Sequence, residues 1–270
     1  MEFLLLREAI VLLACAVSAY TDWKDGLILD KITYPLIGIG IALNLLENDL
    51  AVFILPVAVF VTGYAIYYAG KVGGGDVKLL AGIAMVLPSV RGEIFIFNAM
   101  LIASSSAIVF LSAYFVSKYA RTGIDWKENS RGTMRALMFA AFIAAYFWFL
   151  LQWKIMPLSG IIVFAVPVAF ALVFLALEHG IRKNFFLQEA KLPELEEDEI
   201  VAVEFLDSKV LEKLGLKFKG VLGEKEIGKL KEMGLKTVPV YRKLPAFAPF
   251  ILLGAVVAIA WPGMVAGLFI

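Results

Sequence analysis

Long apolar segments separated by short polar turns restrict the fold of this chain more than any other feature. They lie at positions 1–20, 32–46, 50–69, 77–88, 94–116, 137–153, 155–177 and 245–270. Most approach the roughly 20 residues that a helix needs to cross a bilayer. Hydrophobic residues make up 61% of the chain, well above the roughly 45–50% of a soluble domain. The sequence therefore predicts an all-α polytopic membrane protein with about eight transmembrane helices.

A charged stretch interrupts this pattern before the last apolar segment. Charged residues alternate with apolar ones from Arg182 to Lys243. Within this stretch, positions 200–205 and 237–241 are typical of strands, and 224–233 of a short helix that stops at Gly234. We therefore expect three parts. They are a transmembrane domain at 1–179, a small soluble α+β domain at 180–244 and a final transmembrane helix at 245–270.

The distribution of positive charge predicts the orientation of the chain. If the turn at Asp22 is cytoplasmic, alternation of the helices also places the loops at 73–78 and 118–135 and the soluble domain in the cytoplasm. These short loops are rich in Lys and Arg, whereas the opposite turns carry only Arg91 and Lys154. Cytoplasmic loops carry the excess of positive residues in membrane proteins. We predict a multi-pass cell-membrane protein with both termini outside. A net charge of +1 gives no reason to expect a nucleic-acid partner.

Two aspartates lie at the edges of apolar segments. Asp22 follows the first segment, and Asp76 comes directly after Gly73, Gly74 and Gly75. Acidic side chains between membrane segments are costly and are functional by default. Glycines permit unusual backbone conformations or the close approach of another part of the chain. From these residues alone, the glycine run is either a hinge or part of a site, and the aspartates are either solvated boundary charges or a facing pair.

The predicted topology places Asp22 and Asp76 at one membrane face and at one depth. The segment at 77–88 is short, and it crosses only if Asp76 enters the membrane edge beside a water-filled cleft. Two close carboxylates cannot both be ionised cheaply, so they share a proton. Such a pair can activate water with its basic member and polarise a peptide carbonyl with its acidic member. Peptide hydrolysis needs those two roles and no metal, so no cofactor is expected.

Two motifs resemble conserved blocks of a known enzyme family. Residues 20–28 (YTDWKDGLI) and 32–35 (ITYP) resemble the first block of type IV prepilin and archaeal preflagellin peptidases. Residues 73–79 (GGGDVKL) resemble their GxGD motif with its following lysine. GxGD alone is weak, but the two motifs in this order, with Asp22 and Asp76 54 positions apart, are a specific signal. The resemblance covers positions 1–120, and the remainder is an extension.

The resemblance implies an aspartic endopeptidase with a six-helix peptidase-like core and a catalytic dyad of Asp22 and Asp76. Gly73 and Gly75 would be the motif glycines that shape the loop. Lys78 matches the motif lysine, with a structural role and a role in orienting the leader peptide both open. The implied substrates are precursors of type IV pilin-like subunits, including archaellins. Their short basic leader precedes an apolar helix and would be cut at the cytoplasmic boundary, so precursors and membrane lipids are the expected partners.

Several residues depart from the family pattern or compete for a role in it. Asp25 and Asp30 compete for the role of the first aspartate, and we favour Asp22 because it aligns best with the family block and is nearest to the helix end. Bacterial members often carry four metal-binding cysteines, and many also methylate the new N-terminus. This chain has only Cys15, so we expect no zinc site and no methyltransferase activity.

Two other functions remain as alternatives. Presenilin and signal-peptide peptidases also contain GxGD, and 244–246 (LPA) resembles their proline-alanine-leucine element, but their first aspartate comes late in the chain. An ion-coupled transporter that uses Asp22 and Asp76 is the alternative from a different class. Transporter sites tend to lie at the bilayer midplane between internal repeats, and no repeat is evident between the two halves of this chain.

Overall fold

The computed structural model describes residues 3–47, 50–68, 72–195, 199–215, 220–242 and 244–268 and is predominantly helical. The first helices in chain order are α1 (Leu4–Asp25), α2 (Asp30–Leu46), α3 (Ile54–Tyr68), α4 (Gly74–Val86), α5 (Phe95–Thr122), α6 (Ser130–Gln152) and α7 (Leu158–Ile181). A two-stranded hairpin of β1 (Ser89–Val90) and β2 (Glu93–Ile94) links α4 to α5. A last apolar helix, α10 (Ala248–Ala260), follows a small mixed region.

Five helical segments among the described residues are long and apolar enough to cross a membrane. They are Leu4–Asp25, Ala51–Tyr68, Phe95–Thr122, Ser130–Gln152 and Leu158–Phe186. Helix α10 is apolar but shorter. These segments confirm the predicted all-α polytopic membrane class, and the number of eight crossings stays a prediction.

Helix α4 forms the centre of the membrane part. Apart from Lys78, its residues from Val77 to Val86 are all buried. A helix that is apolar all round is stable only when it is surrounded, and α4 packs between α2 and α3, with further contacts to α1 and α5. Helix α10 packs against α1 and α5. The short α4 is thus enclosed by protein rather than by lipid.

A buried arginine closes one end of this bundle. Arg7 is fully buried in α1 and donates from Nη1 to Asn44 Oδ1 at 2.8 Å and to the Val86 carbonyl at 2.7 Å. Its Nη2 lies 3.3 Å from Glu47 Oε2. The last carbonyls of a helix lack partners within the helix. Arg7 therefore ties the start of α1 and the end of α2 to the end of α4.

Side-chain contacts also join α5, α6 and α7 at the opposite end. The Asn129 side chain is fully buried, and its Nδ2 donates to the Tyr119 hydroxyl at 3.0 Å. The Gly180 N–H donates to Asn129 Oδ1 at 3.0 Å. The chain runs up and down through the bundle, so these residues lie at the same end as the close of α1 and the start of α4.

The segment between α7 and α10 has a sheet and a core of its own. Strands β3 (Leu187–Lys191), β4 (Ile200–Val201) and β5 (Thr237–Tyr241) form an antiparallel sheet in the order β3-β5-β4. Helices α8 (Ser208–Leu214) and α9 (Glu224–Glu232) complete this segment. Its buried apolar cluster includes Ala190, Leu214, Leu222, Leu230 and Val238. It follows α7, so it lies at the end of the bundle where α7 finishes.

Most predicted elements are present, with local differences. The strand at Thr237–Tyr241 and the helix at Glu224–Glu232 confirm their predictions. The strand predicted at 200–205 is wrong beyond Val201, because Val203–Phe205 turns into a 3-10 helix. Strand β3 and helix α8 were not predicted. Positions 1–2, 48–49, 69–71, 196–198, 216–219, 243 and 269–270 lie outside the described residues, so the ends of the predicted segments at 1–20, 50–69 and 245–270 lie partly outside them.

Candidate active site

Asp22 lies inside the last turn of α1, not in a loop as predicted. The helix continues to Asp25 and ends at Gly26, which adopts a left-handed conformation (φ 69°) and donates its N–H to the Asp22 carbonyl. Glycine ends helices in this way because it has no Cβ to strain that conformation. The five extra helical residues, 21–25, hold the Asp22 side chain at a fixed direction from the bundle.

The Asp22 carboxylate contacts the start of the last helix. Its Oδ2 accepts a hydrogen bond from the Ala248 backbone N–H at 2.9 Å, across 226 positions of sequence. The first N–H groups of a helix have no partner within the helix and carry partial positive charge. Helix α10 therefore orients Asp22 and stabilises its negative charge. This contact has no signature in the sequence, because its donor is a backbone N–H.

Asp76 lies in the first turn of α4, three positions after the N-cap residue Gly73. Its Oδ1 atom is buried and has no hydrogen-bond partner among the described residues. Leaving a buried acceptor unpaired costs about 1–3 kcal/mol, and native structures contain few such atoms. An unpaired carboxylate oxygen at a cavity is available to a ligand.

Close packing explains two of the three glycines before Asp76. A Cβ on Gly73 would lie 2.9 Å from Asp76 Oδ2, and a Cβ on Gly75 would lie 2.9 Å from Ile28 Cβ. A Cβ on Gly74 would meet the Tyr67 ring at an ordinary 3.5 Å. None of the three has a φ in the left-handed region. Gly73 and Gly75 therefore serve close approach, and the unusual backbone conformation considered from the sequence is not adopted.

The structure pairs Lys78 with a residue that competed for the dyad. Lys78 Nζ lies 2.6 Å from Asp30 Oδ1, at the first residue of α2, and 5.1 Å from the centre of the Tyr34 ring. This contact joins the start of α4 to the start of α2. Asp30 lines the same cavity as Asp22 but is neutralised by Lys78, whereas Asp25 is exposed and does not line it.

A cavity of about 1510 Å³ contains both candidate aspartates. Asp22 and Asp76 line it together with all three glycines, and the charge of Asp22 acts on the Asp76 carboxyl. An apolar wall comes from α3 and α5, and includes Val59, Phe60, Tyr64, Phe97 and Met100. A second wall comes from the end of α7 and the sheet region, and includes Arg182, Glu204 and Tyr241.

This arrangement is suited to acid–base chemistry on a bound chain. Two carboxylates that interact across one cavity can divide the roles of acid and base, so that one accepts a proton while the other donates one. Among the residues that the structure describes, no three His, Cys, Asp or Glu side chains are grouped to hold a metal ion. The cavity combines a long apolar surface with two acids, which fits a ligand that has an apolar part beside a reactive polar bond.

Comparison with known proteins identifies the region that carries the site. Residues 9–112 match the profile of the type IV leader peptidase family, and this stretch includes Asp22, Asp76 and the glycine run. Over these residues the resemblance predicted from the sequence is confirmed. The prepilin peptidase EppA of Methanothermobacter thermautotrophicus is 38% identical over 92 residues, which cover 31% of this chain and 24% of that protein. The chain thus spans about a quarter of the length of this curated relative. No solved structure matches.

Proposed function

We propose that the protein is a membrane-embedded aspartic endopeptidase that removes the short basic leader from type IV pilin-like or archaellin precursors. The observation that carries this proposal is that Asp22 and Asp76, both within the matched region, line one cavity. Gly73, Gly75 and Lys78 support the dyad through the contacts described above. The peptidase domain would comprise 1–179, followed by the soluble domain at 180–244 and the transmembrane helix at 245–270.

The hydrogen bonds of the two aspartates suggest different roles. The Ala248 N–H fixes the orientation of the Asp22 carboxylate beside the cavity. We assign Asp22 as the base that takes a proton from the attacking water. Asp76, whose buried Oδ1 has no partner among the described residues, is assigned as the acid that donates a hydrogen bond to the scissile carbonyl. The C–N bond of the tetrahedral intermediate then breaks as Asp22 passes the proton it took from water to the leaving amine.

The apolar wall accounts for the way a membrane-anchored substrate reaches the dyad. Only 6% of the apolar segment Ala51–Tyr68 is buried within the protein, so α3 lies at the edge of the bundle. A precursor helix arriving through the bilayer can lie along α3 and α5, with its polar boundary at Asp22 and Asp76. The positive charge in the loops favours a cytoplasmic position for this end.

The competing functions fit these positions less well. A carrier would hold its ion near the midplane, whereas Asp22 is in the last turn of α1 and Asp76 in the first turn of α4. A presenilin-type peptidase would hydrolyse a bond with the same chemistry, but the matched family is the type IV leader peptidases.

Cleavage of a precursor by the purified protein tests the proposal. The protein in lipid vesicles is incubated with a pilin-like precursor, and the product is identified by its intact mass. We expect one cut between the basic leader and the apolar helix. A precursor whose leader boundary is moved several residues into the helix is the matched control and should stay intact. Equal cleavage of both substrates, or of neither, would contradict the proposal.

A further inference from the structure

The wall of the cavity formed by the segment after α7 is polar, unlike the wall from α3 and α5. Glu204 lies in the 3-10 turn Val203–Phe205, and its Oε1 accepts a hydrogen bond from Arg182 Nη1 at 3.0 Å. The same oxygen accepts a hydrogen bond from the Tyr241 hydroxyl, at the end of β5. All three side chains line the cavity that contains Asp22 and Asp76. We call Arg182, Glu204 and Tyr241 the polar wall.

The charge balance of the cavity is acidic. Its charged lining residues are Asp22, Asp30, Asp76, Glu204, Lys78 and Arg182. Lys78 neutralises Asp30, whereas the single positive charge of Arg182 is shared by two acids, Glu178 at 2.7 Å and Glu204, so this second group keeps a net negative charge. The field that remains therefore attracts a positively charged ligand, and complementary charge of this kind selects partners and fixes their register.

Glu204 keeps its charge at neutral pH. Burial raises the pKa of Glu204, but the hydrogen bonds from Tyr241 and Arg182 lower it by more. The pKa of Glu204 therefore lies below its ordinary value. Burial and the hydrogen bond to Glu204 raise the pKa of Tyr241 well above its ordinary value, so the hydroxyl stays protonated and remains a donor. The polar wall thus presents a fixed carboxylate to the cavity.

The polar wall lies at the end of the bundle where the candidate dyad lies. Helix α7 finishes there, and α10 begins there with its N–H on Asp22. A chain whose apolar helix lies along α3 and α5 and whose boundary reaches the aspartates meets the polar wall with its next residues. For a leader peptidase substrate, those residues are the basic leader.

We infer that Glu204 is a specificity residue that binds the basic leader of the precursor, with Arg182 and Tyr241 holding its carboxylate in place. This inference rests on the proposed function, and it gives the segment after α7 a part in substrate selection. A purely structural role would be different, because Glu204 would then only fasten the sheet to α7, and its loss would affect all ligands equally.

Binding of synthetic precursor peptides to the full-length protein in vesicles tests this inference. One peptide carries a leader with several lysines, and the other carries glutamines at the same positions. The Glu204→Gln variant should bind the basic peptide about three- to tenfold more weakly, and it should bind the neutral peptide as the wild type does. Glu204→Asp, which keeps the charge, should restore most of the preference.

Glu199→Gln is the matched control for this experiment. Glu199 lies in the same segment and pairs with Arg242 at 2.6 Å, but it is not among the residues that line the cavity. It should leave the preference for the basic peptide unchanged. Equal binding of both peptides by the wild type, or an equal loss with both in Glu204→Gln, would overturn the inference. If binding depends on Glu204 but no precursor is cleaved, the proposed function fails while the leader site stands.

Discussion

Replacing Gly75 by alanine should slow cleavage, whereas replacing Gly74 should not, because only Gly75 is in close contact with a neighbouring residue. The new Cβ would lie 2.9 Å from Ile28 Cβ and 3.3 Å from the Ile28 carbonyl oxygen. Ile28 is branched at that carbon and its backbone is part of the contact, so neither atom is the flexible end of a side chain. Forcing an extra carbon into a packed site costs about 1–3 kcal/mol. The start of α4 must then move away from the loop between α1 and α2, and Asp76 moves with it.

If this cost appears as a displacement of Asp76 from its position in the dyad, cleavage should slow by about 5- to 150-fold, since 1.36 kcal/mol corresponds to a factor of ten. Gly74→Ala is the control, because its Cβ meets Tyr67 at an ordinary 3.5 Å and alanine is favoured over glycine in a helix by roughly 0.5–1 kcal/mol. The assay is the initial rate of precursor cleavage at saturating substrate, with thermal unfolding of each variant. Wild-type rates in Gly75→Ala, or equal losses in both variants, would refute the packing argument.

Three further predictions concern stability. Arg7→Met should lower the free energy of unfolding by about 3–5 kcal/mol, because it leaves Glu47 without its buried partner, and a loss under 1 kcal/mol in chemical unfolding would contradict this. Tyr119→Phe removes the hydroxyl that accepts from Asn129 and should cost about 1–3 kcal/mol, measured in the same way. The lowered pKa of Glu204 means that its contribution to stability is present above the ordinary glutamate pKa and is lost as the pH falls through the folded value. The melting-temperature difference between wild type and Glu204→Gln should therefore shrink below about pH 4, and a constant difference would contradict this.

The sequence predicts the helices of this protein well because they are long and apolar. The length of these apolar segments outweighs local preferences, so errors are confined to ends and short elements. The Asp22 turn was predicted as a loop because its residues are polar, yet Gly26 ends the helix four residues later. Strand β3 was missed because its sequence, LQEAK, has no β-branched residues and is held by pairing with β5.

The candidate site was predictable only in part, because several of its contacts join residues that are far apart in the sequence. Asp22 and Asp76 were found from charge at apolar boundaries and from the motifs. The donor on Ala248, the pairing of Lys78 with Asp30 and the second cavity wall around Glu204 depend on long-range packing. None of these contacts has a periodic or local signal, since the partners are separated by 226, 48 and 22 positions.

Cleavage by aspartate variants is the most direct test of whether Asp22 and Asp76 form the catalytic dyad. Asp22→Asn and Asp76→Asn keep the size of each side chain but remove its acid–base function, and Asp25→Asn is the control from the same helix turn. Initial rates on one precursor are compared for folded protein, with thermal unfolding as the check. We expect each dyad variant to lose cleavage to background, whereas Asp25→Asn should retain it. Full activity in Asp22→Asn or in Asp76→Asn would contradict it.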